Sequence, residues 1–363
     1  MRYLLLSTML VVAAIFGSVG AAGTDNSVSA ADAVGVAEAT QEACSFPISK
    51  TDATGTKVTV QKEPQKIVTL SPSAAQTMWE IGGKEKVVGV TKYAMYLDGA
   101  SVKKNVSGAG MTTVVPEKVV ALEPDLVLAP NVVSDQTVRK LRDAGLTVYK
   151  FRESKSLRNI YAKTELTGQL TGECQGAAET VSWMKDRVST VREAVEGEDR
   201  PKVLYVMGGG YTAGTGTFIH TIIETAGGTN VAAKAGVQSY KQISSEVVVR
   251  RQPEWFVASP GTKIPDAYGD TPAAKENRTV SLNQNYLNQP APRIVYPIAK
   301  LAKTLHPEAY AEANATSTTT TTETTETTTA NKTTTTGSGG QPGFGTPAAL
   351  VALALTALLA RRE

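Results

Sequence analysis

The residues in this sequence that are able to make or break bonds are few, and their spacing argues against most such chemistry. Two cysteines, Cys44 and Cys174, are too few for a four-thiolate zinc site, and two histidines, His220 and His306, leave little for a His-rich metal centre. Ser71 and Ser73 stand in LSPS, which lacks the G-x-S-x-G elbow of a serine hydrolase. The glycines of GGGYTAGTG suit a close backbone approach, yet neither G-x-G-x-x-G nor a P-loop lysine is present, so nucleotide chemistry is set aside. With 37 basic against 34 acidic side chains the formal charge is +3, and no single-sign field marks a nucleic-acid binder. Binding chemistry is what remains. Tyrosine dominates the aromatics, 12 against 6 Phe and 3 Trp, and several tyrosines fall in loops, where flat rings and phenol hydroxyls can stack on and hydrogen-bond a broad planar ligand.

The elements that must position these loops are legible as short β-branched runs separated by helical patterns. KIVTL at 66–70, VVGV at 87–90, DLVLA at 125–129 and TVYKF at 147–151 form one series; KVLYVM at 202–207, WFVAS at 255–259 and RTVSLN at 278–283 form a second. The expected fold class is α/β with two parallel-sheet units. A repeat supports the division: from Glu117 and again from Glu246, a Pro follows seven residues on, then an acid, then an apolar strand ending in Ala. Gly82-Gly83 and Gly227-Gly228 each follow a helical stretch, as left-handed C-caps would. Between the halves Leu170, Cys174, Ala177, Val181, Met184, Val188, Val191 and Val195 form a helical stripe. A helix from Glu173 to Glu196 would reach about 36 Å, enough to brace two small lobes.

The two ends are of another kind. Residues 1–22 read as a signal peptide, one Arg followed by an apolar run and small residues, with 23–43 as a linker. Residues 311–341 are a Thr-rich stalk with nothing apolar to bury, and N-x-S/T triplets at Asn105, Asn277, Asn314 and Asn331 fit an exterior address. The final apolar run, AALVALALTALLA, followed by Arg361 and Arg362, is short for a permanent membrane span. Export makes a disulfide between Cys44 and Cys174 the expected state of the two thiols, tying the N-terminal region to the start of the long helix.

Pro342, Gly343 and Phe344 resemble the archaeal PGF-CTERM sorting signal, here 342–363. That resemblance implies an archaeal source, removal of the tail by an archaeosortase and a lipid anchor on the outer face of the membrane. The succession KIVTLSPSAAQTMWEIGG, VVGVTKY, PEKVVALEPDLVLAP, a long helix, YTAGTGTFIHTIIETAGGTN, YKQISSEVVVRRQPEWFV and NQPAPRIV resembles substrate-binding proteins of ABC importers. It is most similar to the group that captures cobalamin, ferric siderophores and haem. The resemblance implies two Rossmann-like lobes, 44–152 and 200–310, joined through 153–199 by one rigid helix in the class III periplasmic-binding-protein arrangement. Tyr93, Tyr211, Tyr240 and Arg293 are then expected in the cleft, with the region of Gly110 and Met111 a further candidate. The cargo that the resemblance implies is a corrinoid or a ferric chelate, and no intrinsic cofactor, resident metal or catalysis is expected. Glu117 and Glu246 are expected to dock, one per lobe, on a permease dimer served by ATPase subunits. A stalked surface protein without a transport role is the competing reading.

Overall fold

The computed structural model describes residues 44–109 and 113–315, so Gly110 and Met111, the two terminal segments and Pro342, Gly343 and Phe344 lie outside the described residues. An antiparallel hairpin, β1 (Ile48–Thr51) and β2 (Lys57–Val60), leads into a first sheet made of β3 (Ile67–Thr69), β4 (Val87–Val90), β5 (Lys104–Asn105), β6 (Leu126–Ala129) and β7 (Val148–Lys150). The sheet order is β5-β4-β3-β6-β7, parallel throughout. Helices α1 (Pro72–Glu80), α2 (Pro116–Val120) and α3 (Asp135–Asp143) make the crossovers.

Two connecting helices follow, α4 (Leu157–Thr171) and α5 (Cys174–Ala194). The second lobe holds β8 (Lys202–Val206), β9 (Tyr211–Ala213), β10 (Thr229–Asn230), β11 (Tyr240–Gln242), β12 (Trp255–Ala258) and β13 (Thr279–Ser281). Its helices are α6 (Phe218–Thr225), α7 (Val231–Lys234), α8 (Ser245–Arg251), α9 (Pro272–Lys275), α10 (Gln284–Leu287) and α11 (Val295–Leu305). Its sheet, β10-β8-β12-β13, is again parallel, while β9 and β11 pair as a separate antiparallel ribbon.

The central strands are buried at nearly every position, and successive side chains enter cores on opposite faces of each sheet. In the first lobe Ile67, Leu126 and Leu128 enter one core and Val68, Val127 and Ala129 the other; in the second, Val203, Tyr205 and Val257 oppose Leu204, Val206 and Phe256. Helix α5 joins these cores: Ala177 packs into the first lobe, and Met184, Val188 and Val191 pack into the second. It starts one residue later and ends two residues earlier than Glu173 to Glu196, and Leu170, though on the same apolar stripe, belongs to α4, which Gly172 ends in the left-handed conformation at φ 84°. Its 21 residues reach about 31 Å. At Gly176 a side chain is excluded outright, since an added Cβ would lie 2.1 Å from the Ile81 carbonyl oxygen. The Cys44–Cys174 disulfide fastens the chain beside the start of α5.

The sequence repeat has a structural meaning. Glu123 and Gln252, each just ahead of its proline, hold φ of 45° and 50°, so the turn from helix to strand is made by the same left-handed residue in both halves. The acid after the proline seals the neighbouring strand: Asp125 Oδ2 accepts the Gln65 and Lys66 N–H groups at 2.8 and 2.8 Å, and Glu254 Oε2 accepts Lys202 N–H at 2.7 Å.

Candidate functional site

The C-terminal edges of the two sheets face each other. From β3 the chain enters Ser71, whose hydroxyl caps α1 by accepting Ala74 N–H at 3.5 Å, and from β4 it enters the turn holding Tyr93. From β13 it enters the 283–293 stretch, and there the lobes meet. Gln76 donates Nε2 to the Tyr96 phenol at 2.8 Å and to the Asn285 carbonyl at 3.3 Å, while its Oε1 accepts Arg293 N–H at 3.0 Å. Arg293 Nε donates to Glu80 Oε1 at 2.7 Å, and its guanidinium lies 5.7 Å over the Tyr286 ring. The Lys163 ammonium, on α4, donates to the Pro290 carbonyl; with no carboxylate beside it, burial pushes it down to about 8. A second bridge joins Thr221, on the first turn of α6, to the Lys155 carbonyl in the loop after β7, at 3.3 Å. Loops beyond the carboxyl ends of both parallel sheets thus come together across these contacts, and the space they border, the usual place for a ligand on such sheets, is the candidate cleft.

On the second lobe the wall is the β9–β11 ribbon. Its register, Tyr240 opposite Ala213 and Gln242 opposite Tyr211, puts Tyr211 and Tyr240 on one face and Thr212 on the other. Thr212 anchors the ribbon by donating its hydroxyl to the Tyr205 carbonyl at 2.7 Å. Burial raises the Tyr240 phenol well above its ordinary value, helped by the neighbouring Tyr205 phenol and the Glu153 carboxylate. Tyr240 is nevertheless 37% exposed. Glu153, from the loop after β7, acts on this phenol from the opposite lobe. Beneath it Tyr205, pushed up to about 12 by burial, donates to Asn288 Oδ1 at 3.2 Å.

Tyr93 and Tyr211 are 41% and 45% exposed, and with Tyr240 they are among the few large hydrophobic or aromatic side chains left open. Lys92 lies 5.1 Å over the Tyr93 ring. Arg293 is placed in the seam between the lobes, with Glu80, rather than on an open wall. Glu117 and Glu246 stand exposed in the first turns of α2 and α8, and Glu246 pairs with Arg250 at 3.0 Å. His220 Nδ1 faces Asn230 Nδ2 at 3.3 Å and His306 Nε2 faces the Gly227 carbonyl at 3.3 Å. Among the described residues no group of three His, Cys, Asp or Glu is arranged to hold a metal ion. Sequence reasoning missed Gln76, Glu80, Tyr96, Lys163 and Asn285, and also Tyr205 and Glu153 at the cleft. Of these, only Gln76 and Glu80, the two long polar side chains on α1, gave a signal of a partner.

Residues 67–286 match the family described as periplasmic binding protein, and residues 341–363 match the PGF-CTERM motif. A cobalamin-binding protein of Halobacterium salinarum is 47% identical over 88% of this chain and 90% of its own length. The ABC transporter substrate-binding lipoprotein YvrC of Bacillus subtilis is 30% identical over 74% of this chain and 88% of its own. Among solved structures, the periplasmic heme-binding protein RhuT from Roseiflexus sp. RS-1 superposes with a TM-score of 0.62 at 25% identity, covering 68% of this chain and 99% of that one. The periplasmic vitamin B12-binding protein BtuF of Vibrio cholerae has the same fold, with a TM-score of 0.59 at 23% identity over 67% of this chain and 96% of that one.

Proposed function

This chain belongs to the periplasmic binding protein family, and on that premise we propose that it captures a corrinoid in the cleft and hands it to the permease of an ABC importer. The likeness to the halobacterial protein named for cobalamin carries the choice of cargo. The cleft supports it: Tyr93 on one lobe and Tyr211 and Tyr240 on the other offer open ring faces to a wide planar ligand, and a closed seam holds the walls apart. Met111, which lies outside the described residues, is a further contact in this reading. Arg293 acts on cargo through the seam, by fixing where the second lobe stands.

Glu117 and Glu246 occupy equivalent, exposed helix starts, as a two-fold permease would require of paired docking groups; the ATPase subunits drive that permease from the other side. In the same reading a signal peptide exports the chain, an archaeosortase removes the tail carrying Pro342, Gly343 and Phe344, and a lipid anchor holds the stalk at the surface.

The test is calorimetry of the described body, residues 44–315, with cobalamin, a ferric hydroxamate and haem. Submicromolar binding of cobalamin and weak or no binding of the others is the expected result. Preference for haem or the ferric chelate overturns the cargo, and silence with all three overturns the cleft.

A further inference from the structure

Two N-x-S/T triplets lie wholly within the described fold, and the structure treats them differently. In Asn105-Val106-Ser107 the central valine is fully buried, and the serine is buried and engaged: its hydroxyl accepts Lys92 N–H at 2.9 Å, next to Tyr93. Asn105 Oδ1 is tied back to Ser107 N–H at 2.9 Å. Asn105 is itself exposed at the C-terminal end of β5, but the other two residues of its triplet are folded in beside Lys92 and Tyr93, so the serine hydroxyl is not open to a transferring enzyme.

Asn277-Arg278-Thr279 is presented the other way. Asn277 occupies a left-handed turn at φ 53° between α9 and β13, which projects it from the surface, and both Asn277 and Thr279 are exposed. The middle residue is drawn aside, Arg278 pairing with Glu276 and lying 5.6 Å over the Trp255 ring, so it does not cover its neighbours. Thr279 opens β13, an edge strand of a parallel sheet whose other end faces the cleft. The triplet is thus on the side of the lobe away from the tyrosines. It is also away from Glu246, because α8 starts at the cleft side and runs down to Pro253, whose carbonyl accepts Ala273 N–H on α9 at 3.0 Å.

We infer that Asn277 is a site of N-linked glycosylation on the outward-facing body and that Asn105 is bare. The donor is a lipid-phosphate-linked oligosaccharide. Asn277 Nδ2 bonds to C1 of the first sugar, the bond from C1 to the phosphate oxygen breaks, and the amide proton leaves with the lipid phosphate. The Thr279 hydroxyl, open beside the amide, is the group that the transferring enzyme reads.

The experiment is peptide mass spectrometry of the full chain purified from the membrane of the cell that makes it. A sugar mass is expected on the peptide containing Asn277 and none on the peptide containing Asn105. Asn277→Gln should lose it. So should Thr279→Ala, which leaves the asparagine in its left-handed turn and separates loss of the acceptor signal from loss of local structure. Both variants should keep cobalamin affinity within about twofold. An unmodified Asn277 peptide in the native chain overturns the assignment, as does a glycan that persists in Thr279→Ala; a glycan on Asn105 overturns the distinction between the two triplets.

Discussion

The seam between the lobes and the wall of the cleft are built from similar residue types, yet they differ in how those groups are matched. In the seam, Gln76 answers Tyr96, Asn285 and Arg293, and Arg293 answers Glu80. On the wall, Tyr93, Tyr211 and Tyr240 leave their faces open to solvent. Matched polar groups hold a geometry, whereas the open rings are, in the proposed reading, the groups left for a ligand. Substitutions in the seam should therefore register in stability, and those on the wall in affinity.

The largest effect is expected where the seam's brace is fastened. The Cys44–Cys174 bridge closes a loop with a sequence separation of 130, so a Cys44→Ala/Cys174→Ala variant should lose about 4 to 5 kcal/mol in the chain-entropy account, measured by denaturant unfolding. Cobalamin affinity at low temperature should stay near that of the native protein; a matching collapse of affinity would erase the distinction between brace and wall. Glu80→Ala comes next. It leaves the Arg293 guanidinium with one fewer partner in a site where both side chains are only about one-fifth exposed, and a loss of about 1 to 3 kcal/mol is expected, discounted for that exposure.

On the wall, Tyr211→Ala or Tyr240→Ala should weaken cobalamin binding by about 1 to 3 kcal/mol, with little change in melting temperature. Unchanged affinity in both variants would move the site. Lys163 tests the seam by pH. Its folded value of about 8 lies below the ordinary 10.5, so between those values the unfolded chain binds the extra proton and the folded state gains stability as pH rises. The gain ends near pH 10, where phenols raised in the fold, such as Tyr205 and Tyr240, begin to favour the unfolded chain. Native protein should therefore gain in melting temperature over Lys163→Met from about pH 7.5 to about pH 9.5; parallel curves would show that the ammonium is not desolvated. The smallest effect on folding is expected at the paired glutamates. Exposed charges at helix starts contribute about 0.3 to 1 kcal/mol each, so Glu117→Ala/Glu246→Ala should leave stability and cargo affinity nearly unchanged while uptake into cells falls sharply. Normal uptake would remove their docking role.

What could be read from the sequence was what is encoded locally. The seven longer strands of the two sheets fall within a residue or two of the β-branched runs, because alternate residues of each strand must enter cores on both faces. The repeated helix-to-strand turn was visible because Asp125 and Glu254 perform the same local task. Tyr211 was visible as an aromatic in a glycine-rich loop. The seam was not, because Glu80 and Arg293 are separated by 213 positions and neither residue type nor spacing announces so distant a partner. Nor was the place of Leu170, since the apolar stripe runs on through Gly172, where the backbone shows that one helix ends before the next begins.

The seam joins a helix near the start of the folded body to a stretch near its end. Gln76 and Glu80 are made early, but the residues that complete them, Asn285 to Arg293, emerge only after both sheets have all their strands. A chain cut short after β13 would lack both this fastening and α10 and α11, whose Leu287, Ile298 and Leu301 fill the core of the second lobe. Completion of the second lobe and its fastening to the first thus depend on the same last stretch of the folded body, so the spacing of the lobes is fixed by residues that follow every strand in the sequence.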